Sequence, residues 1–237
     1  MHLFYAQKIV HNQAILSPEE TKHCTKILRK QVGDTLFLID GKGGFFEGEL
    51  VTIGKKDCSV RLFRTVENPN QWDFHLHIAI APTKNISRFE FFLEKATELG
   101  VNSITPLLCK RSERQVIRSD RLEKVIISAA KQSVKPLFPV LNPLIQLTNF
   151  LTEWANASTQ KFIASYTGRP PKLLQELYAK QKDVLILIGP EGDFHPREIE
   201  LAERNGFQLA SLGKSRLRTE TAGIIAGHTI HLLNATL

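Results

Sequence analysis

Residues 183–193 read DVLILIGPEGD, and residues 211–223 read SLGKSRLRTETAG. In the first stretch a continuous apolar run, Val184 to Ile188, stops abruptly at Gly-Pro-Glu-Gly. Such a run fits a strand buried on both faces, the kind found in parallel sheets. Pro196 then suits the first turn of a helix, with Glu198 near its positive end. A strand that hands a loop to a helix start is where open α/β sheets hold ligands, because free amides point outward there. Gly189 and Gly192 permit backbone shapes or close approaches that a side chain would block. The loop is not G-x-G-x-x-G, and no G-x-x-x-x-G-K-[ST] occurs in the chain, so the motifs of dinucleotide and nucleoside triphosphate sites are missing.

The second stretch places a strand, a glycine, Arg216, Arg218 and Glu220 close together, ahead of a helix expected to start near Thr219. Arg216 and Arg218 bracket Leu217; on an extended segment they point the same way and can face a phosphate or a developing negative charge. Glu220 and Thr221 can equally serve the helix start. The small residues Ala222, Gly223, Ala226 and Gly227 let a neighbour pack closely against that helix.

Outward from these loops, FHLHIAIAP, SITPLLC, KFIASY and FQLASLG are further compact apolar runs, separated by helical patterns such as SRFEFFLEKATELG and PREIELAERNG. Strands alternating with helices predict an α/β domain with a mostly parallel sheet covered on both faces. Phe89, Phe92, Leu93, Ala96 and Leu99 follow the i, i+3, i+4, i+7 spacing of a core-facing stripe, and Gly100 is placed to close that helix. Residues 1 to about 70 differ in rhythm. TLFLID, FFEGELVTI and CSVRLFRTV are short strands set apart by GKGG and GKKD, which predicts a small β-barrel. One helix interrupts it, with Ser17 as cap, Pro18 at the first helical position and Glu20 completing a capping box. Cys24, Ile27 and Leu28 form its expected inward stripe, and Lys22, Lys26, Arg29 and Lys30 its outward face, which is either solvated or phosphate-binding. The turn-rich ENPNQWD at 67–73 is the expected linker.

Lys plus Arg outnumber Asp plus Glu by 31 to 24, a formal charge of +7 that suits a polyanionic partner. The excess is concentrated at residues 110–135, where Lys110, Arg111, Arg114, Arg118, Arg121, Lys124, Lys131 and Lys135 face only Glu113, Asp120 and Glu123. With few acids to pair with, these residues predict a phosphate-binding surface without base specificity. Cys24, Cys58 and Cys109 are too far apart for a metal knuckle or a disulfide framework and are expected as buried thiols in a reducing compartment. The paired His75/His77 and His228/His231 have no third ligand near in sequence, so no metal site is expected. No apolar run is long enough to cross a bilayer and the first residues lack a signal-peptide pattern, so the expected location is cytoplasmic.

IGPEGDF together with SLGKSRLRTETAG resembles the signature of the SPOUT-class methyltransferases that modify uracil ring nitrogen 3 in small-subunit (16S) ribosomal RNA. HCTKILRKQVGD and DGKGGFFEGEL resemble that family's PUA-like barrel, KATELGV and ITPLLCKRSER the start of its catalytic domain, and AAKQSVKPLFP its A-A-x-Q helix. The resemblance covers nearly the whole chain. It implies a PUA-like β-barrel over 1–71 that binds RNA, and over 72–237 an α/β SPOUT domain whose last segment threads a deep trefoil knot, an exception to the rule against knots. It further implies a homodimer and S-adenosyl-L-methionine as the methyl donor. The implied donor pocket takes Leu187, Ile188, Gly189, Pro190, Glu191 and Gly192 from the first loop. From the second it takes Leu212, Gly213, Leu217, Arg218, Thr221 and Ala222.

Uracil N3 is a poor nucleophile until its proton leaves. Arg218, and after it Arg216, are the candidates to stabilise the charge that develops on the base, and Glu191 or Glu220 is the candidate proton acceptor. Lys22, Lys26, Arg29, Lys30, Arg111, Arg114 and Arg121 are the candidates for RNA phosphates. Gln132 is a candidate partner for the target base or a nearby phosphate, or a surface glutamine. Two departures from the family stand out: Asp193 where a second glycine is usual after GPEG, and His195 where a serine-like cap is usual before Pro196. Two other functions fit the same residues: a ribose 2′-O-methyltransferase of the same class, and a non-catalytic RNA-binding factor in ribosome assembly.

Overall fold

Alternating β-prone residues between Gly and Asp turns are what a small, strongly curved sheet requires, and the first part of the chain forms one. A computed structural model describes residues 2–66, 73–166 and 172–235, so the linker expected at 67–73 falls, apart from Asp73, outside the described residues. The chain divides into two compact units, Met1–Gln71 with Ile126–Phe138, and Trp72–Val125 with Pro139–Leu237.

In the first unit β1 (Leu3–Tyr5), β2 (Lys8–Val10), β3 (Gln13–Leu16), β4 (Thr35–Ile39), β5 (Phe45–Ile53) and β6 (Cys58–Thr65) form a six-stranded sheet in the order β1-β4-β5-β6-β3-β2. Only the β1–β4 pairing is parallel. Alternate residues of distant strands, Phe4 of β1, Leu16 of β3, Leu38 of β4, Leu50 of β5 and Val60 of β6, share one buried cluster. A sheet whose end and middle strands meet in one core has curled into a barrel-like wall.

Helix α1 (Pro18–Lys22) starts as expected, with the Ser17 hydroxyl oxygen accepting from the Glu20 amide at 3.2 Å. Glu20 does not complete a capping box. Its carboxylate is buried and accepts from Lys131 Nζ at 2.5 Å, because a carboxylate out of water needs a charged partner more than the exposed helix start needs a second cap. The helix then widens into a π-turn over His23–Ile27. Its wider i→i+5 spacing rotates the end of the turn, so Cys24 and Leu28 pack on the barrel core while Ile27 is 65% exposed, against expectation. Arg29, at φ 53°, ends the turn, so Arg29 and Lys30 are not on the helix face shared by Lys22 and Lys26. Burial, and next the neighbouring Cys58, push the Cys24 thiol up to about 11.

The second unit alternates strand and helix. Its elements begin with β7 (Leu76–Ile80), α2 (Ile86–Leu99), β8 (Ser103–Leu108) and α3 (Ser119–Ser133), the last of which runs on into the first unit. Next come β9 (Val140–Leu141), β10 (Ile145–Gln146), α4 (Leu147–Trp154), β11 (Gln160–Ala164), α5 (Leu174–Leu177), β12 (Val184–Ile188), α6 (Pro196–Arg204), β13 (Gln208–Ala210) and α7 (Thr219–Asn234). The sheet order is β10-β8-β7-β12-β11-β13, with β9 beside β8, and every pairing is parallel. Strand alternation divides the cores. Ala79, Leu185 and Leu187 pack with Phe150 of α4 and Ile199 of α6, whereas Ile78 and Ile80 face α7. Helix α2 buries Phe89, Phe92, Leu93 and Ala96 and ends at Gly100 in the left-handed conformation.

His77 is buried in β7 against Phe150 and Trp154, with Nε2 2.7 Å from the Thr105 hydroxyl. Burial, and then the neighbouring His75, lower this imidazole from 6.5 to about 3. The unfolded chain therefore binds a proton that the folded chain refuses. The contribution of neutral His77 is fully present above about pH 6.5 and declines as pH falls from there towards about 3. His77→Phe keeps the aromatic packing and removes the titration, so the fall of urea midpoint with acid should flatten across that window; an unchanged slope would assign it to other groups. Gly223 supplies a second test, because a Cβ there would meet the Phe92 ring at 2.6 Å and Ile80 Cδ1 at 2.9 Å. Gly223→Ala should cost about 1–2 kcal/mol despite its better helix propensity. Gly227→Ala, whose nearest contact is 3.3 Å, should be close to neutral. Equal stabilisation by both substitutions would place α7 farther from α2.

Candidate functional site

The in-register pairing of Ile80 with Ile188, and of Ile188 with Ala164, brings the loops after β7, β12 and β11 out at one line along the carboxyl edge of the sheet. The loop after β12 begins with Gly189 and Pro190, both buried. A Cβ on Gly189 would sit 3.0 Å from the Phe194 ring and 3.1 Å from the Phe194 amide, so the close return of the chain favours glycine. The Asp193 amide donates to Pro190 O at 2.9 Å and closes the turn. Among the described residues the amides of Glu191 and Gly192 donate to no protein group, and both residues are exposed.

Both departures at this loop have structural explanations. Asp193 lies at φ 61°, the left-handed region that explains a glycine at this position and that Asp tolerates. Its Oδ2 accepts from Ser165 Oγ at 2.8 Å and the Tyr166 amide at 3.1 Å, and its Oδ1 accepts from the Phe194 amide at 2.7 Å. His195 caps α6 with its ring: Nδ1 accepts from the Arg197 amide at 3.2 Å while Glu198 accepts from the His195 amide at 2.8 Å.

The second loop lies alongside. Thr219 Oγ1 donates to Gly189 O at 3.1 Å, a direct tie between the two loops that sequence reasoning missed. Leu212, Gly213 and Leu217 are half-buried, whereas Arg216 and Arg218 are exposed. Arg218 occupies the N-cap of α7 in extended backbone, with no side-chain cap. Glu220 is 6% exposed in the first turn; its Oε1 stands 3.9 Å from Arg88 Nε, and its Oε2 is buried without a hydrogen-bond partner. Arg88 is four-tenths exposed on α2 and had no sequence signal, since only tertiary packing brings it to α7. Thr221 and Ala222 are half-buried on that first turn. Leu187 and Ile188 are buried strand residues, with Leu187 in the core under α4 and α6, so a ligand at the edge can reach them only through backbone.

The basic stretch after β8 is engaged with the protein's own groups. Arg111 Nη1 donates to Gly192 O at 2.7 Å and Phe194 O at 3.2 Å. Arg114 donates to Thr83 O at 2.9 Å and Lys84 O at 2.6 Å. Arg121 is paired with Glu90, Arg118 with Asp120, and Lys84 with Glu113. Glu191 Oε1 accepts from the Lys84 amide at 2.8 Å, which joins the β7–α2 loop to the first loop. In the first unit Lys22, Lys26, Arg29 and Gln132 are exposed, and Lys30 lies 3.9 Å from Asp34. Among the described residues no three His, Cys, Asp or Glu side chains group as a metal site would, and no helix is long and apolar enough to cross a membrane. The three cysteines are buried and unpaired by disulfides; burial pushes the Cys109 thiol far up.

Residues 70–231 match the model of an RNA methyltransferase domain, and residues 16–63 that of an RNA methyltransferase PUA domain. The ribosomal RNA small subunit methyltransferase E of Buchnera aphidicola subsp. Schizaphis graminum is 30% identical, over 91% of this chain and 89% of that protein. A "probable rRNA-methyltransferase" from Porphyromonas gingivalis is 40% identical and superposes with a TM-score of 0.90, over 99% of this chain and 98% of that one. A ribosomal RNA small subunit methyltransferase E from Neisseria gonorrhoeae, solved bound to S-adenosyl methionine, is 26% identical with a TM-score of 0.86 over the same shares. With two family models matching in order and these relatives aligned end to end, the chain belongs to the ribosomal RNA small subunit methyltransferase E family.

Proposed function

We propose that this protein transfers a methyl group from S-adenosylmethionine to ring nitrogen 3 of a uridine in 16S ribosomal RNA, acting on the assembled small subunit. The observation that carries it is the junction of the two loops, where the exposed Arg218 stands two residues from Glu220, whose buried Oε2 has no partner. A buried carboxylate oxygen without a donor is costly unless a ligand supplies the proton it lacks.

The residues of the two loops fit the donor molecule. The Glu191 and Gly192 amides offer donors to polar edges of a nucleoside, and half-buried Leu212 and Leu217 offer apolar surface. S-adenosylmethionine, when bound, supplies an electrophilic methyl group on a sulfonium, and the protein's part is to aim the base at it. Glu220 receives the N3 proton at Oε2. Glu191 is less suited, since it is exposed and already accepts from the Lys84 amide. Arg218, assisted by Arg216, stabilises the negative charge that spreads onto the uracil carbonyl oxygens as the proton leaves. The first unit, through Lys22, Lys26, Arg29 and Lys30, holds RNA phosphates, and Gln132 contacts the target base or a phosphate near it. The protein works in the cytoplasm, a reading that rests on the sequence, as a homodimer whose last segment, including α7, is threaded as a deep trefoil knot; the dimer and the knot rest on the family resemblance.

Methyl transfer from labelled S-adenosylmethionine to unmodified small subunits, and separately to their extracted RNA, should give a base-methylated uridine on nucleoside digestion and mass spectrometry, with the particle preferred. A ribose-methylated product would move the activity to the 2′-hydroxyl, and no methyl group on either substrate would refute the proposal. Arg218→Ala should lower kcat by about 10²- to 10³-fold while the folded protein still binds the donor. Glu220→Gln should lower kcat by about 10²-fold or more, and Glu191→Gln, which keeps the oxygen facing the Lys84 amide, only a few-fold. Wild-type turnover by the Glu220 variant would place the proton acceptor elsewhere.

A further inference from the structure

A trans peptide turns its carbonyl away from the amide it carries, so donors that hold a loop's carbonyls also help to set the direction of its amides. The segment after β8 supplies such donors. Arg111 reaches both Gly192 O and Phe194 O from a single nitrogen, 2.7 and 3.2 Å away. Its aliphatic stem lies along the same turn, with Cδ 3.6 Å from where a Gly192 Cβ would be. The adjoining Lys110 amide donates to Glu198 Oε1 at 2.7 Å, and the other oxygen of that carboxylate accepts from the His195 amide at 2.8 Å. Arg114 works one loop away: it binds Thr83 O and Lys84 O, and the Lys84 amide in turn holds Glu191.

We infer that the segment from Lys110 to Arg114 is a positioning clamp for the GPEG loop, with Arg111 and Arg114 as its two arms, and that neither arginine is an RNA phosphate contact. This rests on the proposal that the loop binds S-adenosylmethionine. Arg111 fixes the Gly192 and Phe194 peptide planes directly. Because the planes of consecutive residues are coupled, it also sets the direction of the Glu191 and Gly192 amides between the turn's two ends. Arg114 acts through the Lys84 peptide on the Glu191 carboxylate at the start of the same turn. Without these arms the loop samples other peptide orientations, and donor affinity falls in proportion to the population of the competent one.

Arg111→Met keeps the stem on Gly192 and removes the guanidinium, and Arg111→Lys restores a donor. On the full-length protein, calorimetric titration with S-adenosylmethionine should show about tenfold weaker binding for the Met variant and partial recovery for the Lys variant. Binding to 16S RNA should keep its dependence on salt, with only the small loss of affinity that one fewer positive charge in the field brings. A phosphate contact would behave oppositely: donor binding would be unchanged, and the slope of log affinity against log salt would fall by about one. Amide exchange of the ligand-free protein tests the clamp independently of any donor, since the Met variant should speed exchange at Asp193, whose amide is bonded within the loop, and at His195, whose amide is held by Glu198. Exchange as slow as in the wild type would overturn the inference, as would wild-type donor affinity in the Met variant. If the wild type binds no S-adenosylmethionine, the proposed function fails while the exchange result still decides the clamp. Arg114→Met, expected to weaken donor binding and speed exchange at Lys84 while sparing the salt dependence of RNA binding, gives a second variant should Arg111→Met fold poorly.

Discussion

The constraint on which the rest depends is the end of the β12 ladder. Val184–Ile188 is buried on both faces and hydrogen-bonded on both sides, by β7 and by β11. At Gly189 that pairing stops while the chain is still buried, and each main-chain group beyond it takes another protein partner, water or a ligand. Distant segments supply two of these partners, Thr219 for Gly189 O and Arg111 for Gly192 O and Phe194 O, and nearby side chains supply the others, Asp193 for the Phe194 amide and Glu198 for the His195 amide. Among the described residues the amides of Glu191 and Gly192 are left over. Two consecutive free amides at an exposed glycine turn are the feature on which the proposed donor site rests.

Most of the scaffold is legible because its signals are local. Apolar runs mark the strands of the parallel sheet, the stripe from Phe89 to Leu99 marks α2, and Ser17 with Pro18 marks the start of α1. The illegible features depend on partners far away in sequence. Glu20 has the spacing of half a capping box, yet Lys131, more than a hundred residues later, takes its carboxylate. Ile27 faces inward only on a regular helix, and the π-turn rotates it out. Likewise Arg111 and Arg114 lack partners only when acids alone are counted. Their actual acceptors are backbone carbonyls, which every residue carries and no composition reveals.

A guanidinium bound to a carbonyl gives up hydrogen-bond donors but not its charge. Arg111 and Arg114 therefore still add to the positive field implied by the net charge of +7, although their directional bonds are directed inward. Long-range attraction of a polyanion and short-range contact with it are separable properties, and one arginine can serve the first while holding a loop. The exposed Lys22, Lys26 and Arg29 of the first unit, by contrast, have no internal acceptor among the described residues. A basic surface is thus better divided by what each donor already holds than by counting charges.

Asp193 and His195 show how the same turn geometry is reached with other side chains. A glycine at φ 61° would remove the strain but leave the turn looser, since it brings no side-chain bonds and a larger unfolded-state entropy. Asp193 accepts the strain and offsets it with three hydrogen bonds, two of them to the chain leaving β11. His195 performs a serine's capping task through Nδ1, which requires that nitrogen to be without its proton, so that the ring hydrogen sits on Nε2. Both replacements place bulk and polarity at the exit of the turn, beyond the free amides, and leave Gly189 and Gly192 unaltered at its entrance. The entrance of the turn thus keeps the two glycines of the signature it resembles, while its exit is held in place by side chains that depart from that signature.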